Sequence, residues 1–235
     1  MTTINENNNK RFPSNAYLTP IVFLGYTGLG FFLSYGGLNW LQAWILLSLW
    51  LAYFVVLLLW GKKDKSGVLQ ERADSLKKIG KSWDRYILPI YIMLTLALNI
   101  ISGLDAGRFH WSNISTGTKL LVFPFVLSAY VLPLWAITSN PFTSGVSRIQ
   151  EERGQQTISS GPYRFIRHPM YIATIIYGLT FPIFLGSWWA LIPGALAGLL
   201  FIIRTMLEDK MLHEKLPGYA EYALETRFRL VPGIW

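Results

Sequence analysis

The stretch PMYIATIIYGLTFPIFLGSWWALIPGALAGLLFIIRTM, Pro169 to Met206, decides the fold. No charged residue interrupts it before Arg204, and Gly186-Ser187 stands near its middle. A lipid-spanning helix needs about 20 mostly apolar residues, because the hydrocarbon core is about 30 Å thick. The stretch is long enough for two such helices, from Pro169 to Gly186 and from Trp188 to Met206, joined by a very short turn. They must then form an antiparallel hairpin.

Four further apolar runs precede it, near Tyr17–Tyr35, Asn39–Trp60, Tyr86–Gly103 and Lys119–Ser139. Pro124 and Pro133 inside the fourth imply a kink and freed carbonyls that neighbouring helices must cover. The expected fold is an all-α, polytopic membrane bundle of about six transmembrane helices. It carries a C-terminal hairpin and a short cytoplasmic tail helix. Composition agrees: of 235 residues 52% are hydrophobic and only 14% charged, against about 25% charged in soluble domains. Residues 1–14 are polar and Asn-rich and read as a disordered tail, with no cleavable signal. Residues 15–149 hold the first four spans, and residues 150–235 the chemistry.

Nineteen of the 21 lysines and arginines fall on one side of this topology, leaving Arg108 and Lys119 on the other. By the positive-inside rule the basic side, with both termini, is cytoplasmic, as expected for a bacterial inner-membrane protein. The net charge of +8 then reflects basic loops and anionic lipid rather than nucleic acid. Within the basic segment 61–85, Leu69, Ala73, Leu76, Ile79 and Trp83 recur at three- and four-residue spacing. That pattern fits either an amphipathic surface helix or a solvated basic loop. There is no cysteine, and the histidines are only three. These facts exclude disulfides and thiolate chemistry, and no metal site is expected.

Three polar clusters interrupt the apolar pattern, all on the basic side. The first is Gly161-Pro162-Tyr163-Arg164-Phe165-Ile166-Arg167-His168-Pro169-Met170-Tyr171. Pro169 suits the first turn of a helix. Arg167 and His168 then stand at a helix mouth, where free N–H groups and Arg167 together suit a carboxylate. The plainer alternative is that both residues mark the lipid headgroup level. The second cluster is Arg204, Glu208 and Asp209. Arg204 and Glu208 are four apart and share a helix face, where they either pair structurally or face a cavity. The third is Tyr219 and Tyr222 with Arg227 and Arg229, a pocket wall or an interfacial anchor. The hairpin brings the first two clusters side by side, and the tail folds over them. Gly194 and Gly198 permit close approach, of a neighbouring helix above all.

The order Gly-Pro-Tyr, Arg-His-Pro-x-Tyr, apolar hairpin, then Arg204-Thr205-Met206-Leu207-Glu208-Asp209-Lys210-Met211-Leu212 resembles the isoprenylcysteine carboxyl methyltransferase family. Phospholipid N-methyltransferases share the architecture. The resemblance covers roughly Gln150 to Trp235. It implies an S-adenosylmethionine site built from the hairpin and tail. Tyr163, Arg167, His168, Tyr171, Glu208, Asp209, Tyr219 and Tyr222 would be the cofactor-binding residues, with Arg204 and Glu208 at positions needed for activity. On their shared face and this resemblance, Glu208 is expected to take the cofactor's ammonium or a cationic acceptor, and Arg204 an anion. The eukaryotic enzymes carry Phe-Gly-x-x-Tyr-x-x-Tyr in the tail and a second Glu where this chain has Asp209. The segment Leu216-Pro217-Gly218-Tyr219-Ala220-Glu221-Tyr222 is similar instead to bacterial members, whose acceptors are often unassigned. The implied acceptor is an amphipathic, lipid-like or isoprenoid molecule, methylated on carboxyl, amine or thiol, and membrane lipids are the other expected partners. Two rival functions remain open: an NADPH-dependent membrane reductase of sterol-reductase-like architecture, and a non-enzymatic membrane protein of the same fold.

Overall fold

A computed structural model describes residues 15–75 and 80–235, with side chains from Tyr17 onward. The 1–14 tail, and the positions of Leu76 and Ile79 in the basic segment, lie outside the described residues. The elements are α1 (Asn15–Tyr35), α2 (Leu41–Lys63), α3 (Val68–Asp74), α4 (Asp84–Gly103), α5 (Thr116–Ser139), α6 (Pro169–Leu185), α7 (Leu191–Lys215) and α8 (Tyr219–Glu225). All regular structure among the described residues is helical.

Five helical stretches are long and apolar enough to cross a membrane: Tyr17–Tyr35, Leu41–Lys63, Asp84–Phe109, Thr116–Ser139 and Leu191–Lys215. The sixth, α6, has 17 residues, which is about 25 Å at 1.5 Å per residue and the lower limit for a span. The chain is therefore an integral membrane helical bundle. Its outer face is apolar, as lipid requires: Leu33, Leu41, Leu121 and Val131 are all exposed, and Leu46, Leu98, Val126, Ile137 and Leu185 are buried inside.

The hairpin forms as expected, with two adjustments. The turn is longer than Gly186-Ser187, because Ser187 accepts a hydrogen bond from the Ala190 N–H at 3.1 Å and holds the chain in an extra turn before α7. Helix α7 also runs well past Met206, to Lys215. Its last turns leave the apolar layer but keep good helix formers, so Glu208 and Asp209 ride on the helix itself. The two helices approach closely where Gly178 faces Gly194. A Cβ at Gly194 would lie 1.9 Å from the Gly178 carbonyl oxygen, and one at Gly178 would lie 2.4 Å from that of Gly194. The glycine in α7 thus serves helix packing. On its other side α6 packs against α5, with Phe123 stacked on Phe184 and Tyr130 on Phe181. Helix α5 stays one helix through Pro124 and Pro133. Ser115 caps it, accepting from the Thr118 N–H at 3.1 Å.

At the end away from the lysine-rich loops, α4 continues into a π-helical turn, Leu104–Phe109. Its Asp105 is fully buried. It accepts from the Ser112 N–H (2.7 Å), the Ser112 hydroxyl (2.6 Å) and the Ser187 hydroxyl (2.6 Å). One carboxylate thereby ties the end of α4 to the tip of the α6–α7 hairpin. At the basic end α3 lies against the bundle, with Val68 and Leu69 buried. That is the end at which the site is assembled.

Candidate functional site

The site begins with a backbone device before α6. Gly161 has φ +62°, and a Cβ there would lie 2.1 Å from the Ser139 hydroxyl oxygen. Only glycine fits that close, left-handed position. The short turn Gly161–Arg164 follows, which buries Tyr163. Next, the Arg167 N–H donates to the Phe228 carbonyl at 3.0 Å, and the His168 N–H to the Arg229 carbonyl at 2.9 Å. The tail is thus pinned along the segment entering α6. Pro169 occupies the first turn of α6, with His168 preceding it.

Asp209 is the hub of the first half of the site and is 1% exposed. Arg167 donates to it through Nε (2.8 Å) and Nη2 (3.1 Å), Arg229 through Nε (2.7 Å) and Tyr219 through its hydroxyl (2.9 Å). His168 Nε2 lies 3.3 Å from the same carboxylate. The helix mouth therefore does seat a carboxylate beside Arg167, and that carboxylate is the protein's own. Arg167 Nη1 also donates to the carbonyls of Thr226 (2.9 Å) and Arg227 (3.0 Å). A charge-assisted fork of this kind fixes geometry as well as adding energy.

The second half centres on Arg204 and Glu208. They share a face of α7, but each turns to a different partner. Arg204, 5% exposed, donates to Asp84 through Nε (3.0 Å) and Nη2 (3.3 Å), and to the Gly145 carbonyl at 3.1 Å. Asp84 also accepts from the Ser147 N–H. Glu208 accepts from two hydroxyls, Ser147 and Tyr171, each at 2.5 Å. Arg204 lies over the Tyr171 ring, 5.1 Å from its centroid, and Tyr171 stacks on His168 at 5.4 Å. Long-range partners win over the local pair because they are buried and fixed, whereas a helical i, i+4 pair contributes only about 0.2–0.5 kcal/mol.

These groups line one cavity of about 290 Å³. Its walls include Tyr163, Arg167, His168, Tyr171, Arg204, Glu208, Tyr219 and Tyr222. Asp209 stands behind the wall and holds it. Leu88, Tyr91 and Phe201 give the cavity an apolar region, and Gln155, Gln156 and Thr157 a polar one. Burial pushes the Tyr222 phenol up to about 12. Burial raises Tyr163 above the ordinary phenol range, and burial with the Asp209 charge raises Tyr219. All three stay protonated near neutral pH. Tyr222 donates to the Tyr163 carbonyl at 2.6 Å, locking α8 onto the turn before α6.

All three polar clusters of the sequence thus converge. Sequence reasoning missed Asp84 and the segment from Asn140 to Gln150. A lone acid at a helix start near many lysines has no pattern to betray it. The Asn140–Gln150 segment carries a weak signal, an Asn-Pro turn followed by small polar residues.

The donor set suits a cofactor with both charges. Glu208 receives only neutral hydroxyl donors among the described residues, so its negative charge faces the cavity. Aromatic rings flank it, as a sulfonium or ammonium requires. Residues 120–214 match the model of the isoprenylcysteine carboxyl methyltransferase (ICMT) family. The match begins in α5, earlier than the motif resemblance, and ends before α8. α5 belongs with the hairpin because it packs along α6. No curated protein matches the chain.

Proposed function

We propose that this chain, whose residues 120–214 match the model of the isoprenylcysteine carboxyl methyltransferase family, transfers a methyl group from S-adenosylmethionine to a lipid-like acceptor. The observation that carries the reading is the cavity itself. One carboxylate, Glu208, faces it with hydroxyl partners alone, while the guanidinium of Arg204 is held by Asp84 beside it.

When bound, S-adenosylmethionine supplies an electrophilic methyl: the acceptor's lone pair takes the methyl carbon as the carbon–sulfur bond breaks, and that electron pair stays on sulfur. Positive charge fades in such a step, so alignment and dryness matter more than acid catalysis. Glu208 and the Tyr171 ring hold the cationic end. Arg204, held by Asp84, is a fixed hydrogen-bond donor for an anion at the reacting region. Tyr163, His168, Tyr219 and Tyr222 wall the cofactor, and Asp209 with Arg167 and Arg229 closes the tail over it to exclude water. The basic end is taken as cytoplasmic, in a bacterial inner membrane, so that the site opens to the cofactor's compartment.

Calorimetry with S-adenosylmethionine and its demethylated product on the purified protein tests this. Binding is expected, weakened about tenfold or more in Glu208→Gln, by loss of a charge-assisted contact. Absence of binding in folded protein, with NADPH binding instead, would replace the methyltransferase by a reductase.

A further inference from the structure

Helix α4 carries a polar stripe that the site does not use. Tyr91, which lines the large cavity, is followed at four- and three-residue steps by Thr95, Asn99, Ser102 and Asp105. Such spacing keeps side chains on one helix face. Thr95, Asn99, Ser102 and Asp105 are all buried, so the stripe faces the bundle interior along a membrane-crossing stretch. At 1.5 Å per residue it runs about 20 Å, from the cavity toward the opposite end.

The ends of the stripe are satisfied and its middle is not. Thr95 donates to the Ile92 carbonyl at 2.9 Å, and Asp105 accepts from Ser112 and Ser187. Between them, neither the amide nitrogen nor the amide oxygen of Asn99 has a hydrogen-bond partner among the described residues, and the Ser102 hydroxyl has none either. On α1 the Thr27 hydroxyl is equally bare. All three residues are at most 2% exposed. Lipid offers no partner, and a buried amide or hydroxyl left unbonded is unfavourable.

Helices α1 and α4 meet at this level. Asn99 faces Gly30, one turn from Thr27. A Cβ on Gly30 would meet nothing closer than the Asn99 Cβ at 3.4 Å and the Leu96 Cδ1 at 3.8 Å. That is ordinary contact, so the glycine leaves space beside the asparagine. One turn on, the seam closes: a Cβ on Gly103 would lie 2.8 Å from the Phe31 carbonyl oxygen. An occupant must both donate and accept, because the asparagine nitrogen only donates, its oxygen only accepts, and hydroxyls do either. A cation would leave the nitrogen unmet, and an apolar group would leave every one of these atoms unmet.

We propose that the α1–α4 seam is an internal hydration site, with water bonded to Thr27, Asn99 and Ser102 inside the membrane. A buried water commonly makes about three hydrogen bonds to groups that would otherwise be unsatisfied. Through Thr95 and Tyr91 the site continues the lining of the large cavity toward Asp105, so a polar path rather than hydrocarbon runs through the bundle. It stands on α1 and α4, ahead of the matched residues 120–214, and does not depend on the methyltransferase reading.

Hydroxyl-radical footprinting of the full chain in phosphatidylcholine nanodiscs tests this, since radicals formed from a bound water label the side chains beside it. Phe31, next to Gly30, and Leu96, which reaches the same notch, are the reporters. Val126, buried, and Val131, facing lipid, are the controls. Phe31 and Leu96 should be labelled and the two valines not, and Asn99→Leu should abolish the labelling. Gly30→Ala gives a second reading, because its methyl displaces the water without a clash. In a wet seam that variant should have a lowered Tm, and adding Asn99→Leu should restore it. In a dry seam the better helix former would raise the Tm instead. Unlabelled Phe31 and Leu96 in the wild type, labelling that survives Asn99→Leu, or a Gly30→Ala Tm above that of the wild type would each overturn the hydration site.

Discussion

Asp209→Asn is expected to open the tail without unfolding the bundle. The substitution keeps the side chain's shape and removes one charge from a carboxylate whose side chain is 2% exposed. Its fixed partner, Arg167, has a side chain 5% exposed. Removing one member of such a buried pair is worth about 3–5 kcal/mol. Arg229, whose side chain is 35% exposed, adds little because solvent screens it. The asparagine carbonyl still accepts one hydrogen bond, which puts the expectation at the lower figure, about 3 kcal/mol. The cost should fall on the tail, because Arg167 and Arg229 link the hairpin to residues 223–229. At about 1.4 kcal/mol per decade, amide exchange should accelerate about 10²-fold. The amides to follow by hydrogen exchange are those of Arg167, His168, Tyr222 and Thr226, each bonded within this unit. Amides of α5 should keep their protection. Exchange unchanged within about threefold at those four, well under the decade that about 1.4 kcal/mol represents, would refute the clamp. Equal acceleration in α5 would refute its locality.

Asp84→Asn should lower methyl transfer by about 10²-fold, the size of effect a small misplacement of a reacting group produces. S-adenosylhomocysteine affinity should hardly change, so the loss should appear in kcat rather than in cofactor binding. Asp105→Ala strands three donors at the opposite end of the bundle. It should reduce stability by at least about 3 kcal/mol in all, at about 1–3 kcal/mol for each unsatisfied group. Thermal unfolding in detergent measures it, and cofactor affinity should be retained. Reporter fusions after Trp60 and after Trp235 should both report the cytoplasm, as the basic bias demands. A periplasmic signal at Trp235 would reverse the orientation proposed for the site.

What the sequence made legible is what periodicity and charge encode. The α6–α7 hairpin reads directly, since no charge interrupts it before Arg204, and Pro169 marks its start. The convergence of Arg167, His168, Tyr171 and Glu208 follows from the hairpin alone. Pairing was not legible. Arg204 and Glu208 are neighbours on a helix, yet Arg204 bonds to Asp84, 120 positions away. Nothing in a local pattern announces such a partner. In the same way Arg167 looks like an open anion seat until Asp209, one helix away, is seen to fill it. The turn after Gly186 ran longer than expected because Ser187 was engaged as a cap, and a serine between apolar runs has no distinctive spacing.

The charges around the cavity explain why the N-terminal helices matter to a site whose motifs lie in the C-terminal third. Asp209 neutralises Arg167 and reaches Arg229, Asp84 neutralises Arg204, and Glu71 and Glu152 neutralise Arg148. Two cavity charges then stand without an opposite charge at ion-pair distance among the described residues, Glu208 and Arg72. On the proposed function Glu208 answers the cationic end of the cofactor. S-adenosylmethionine should therefore bind more tightly than S-adenosylhomocysteine, because only the former carries the sulfonium charge, and Glu208→Gln should remove that preference. Equal affinities of the wild type for the two ligands would mean that Glu208 does not hold the sulfonium.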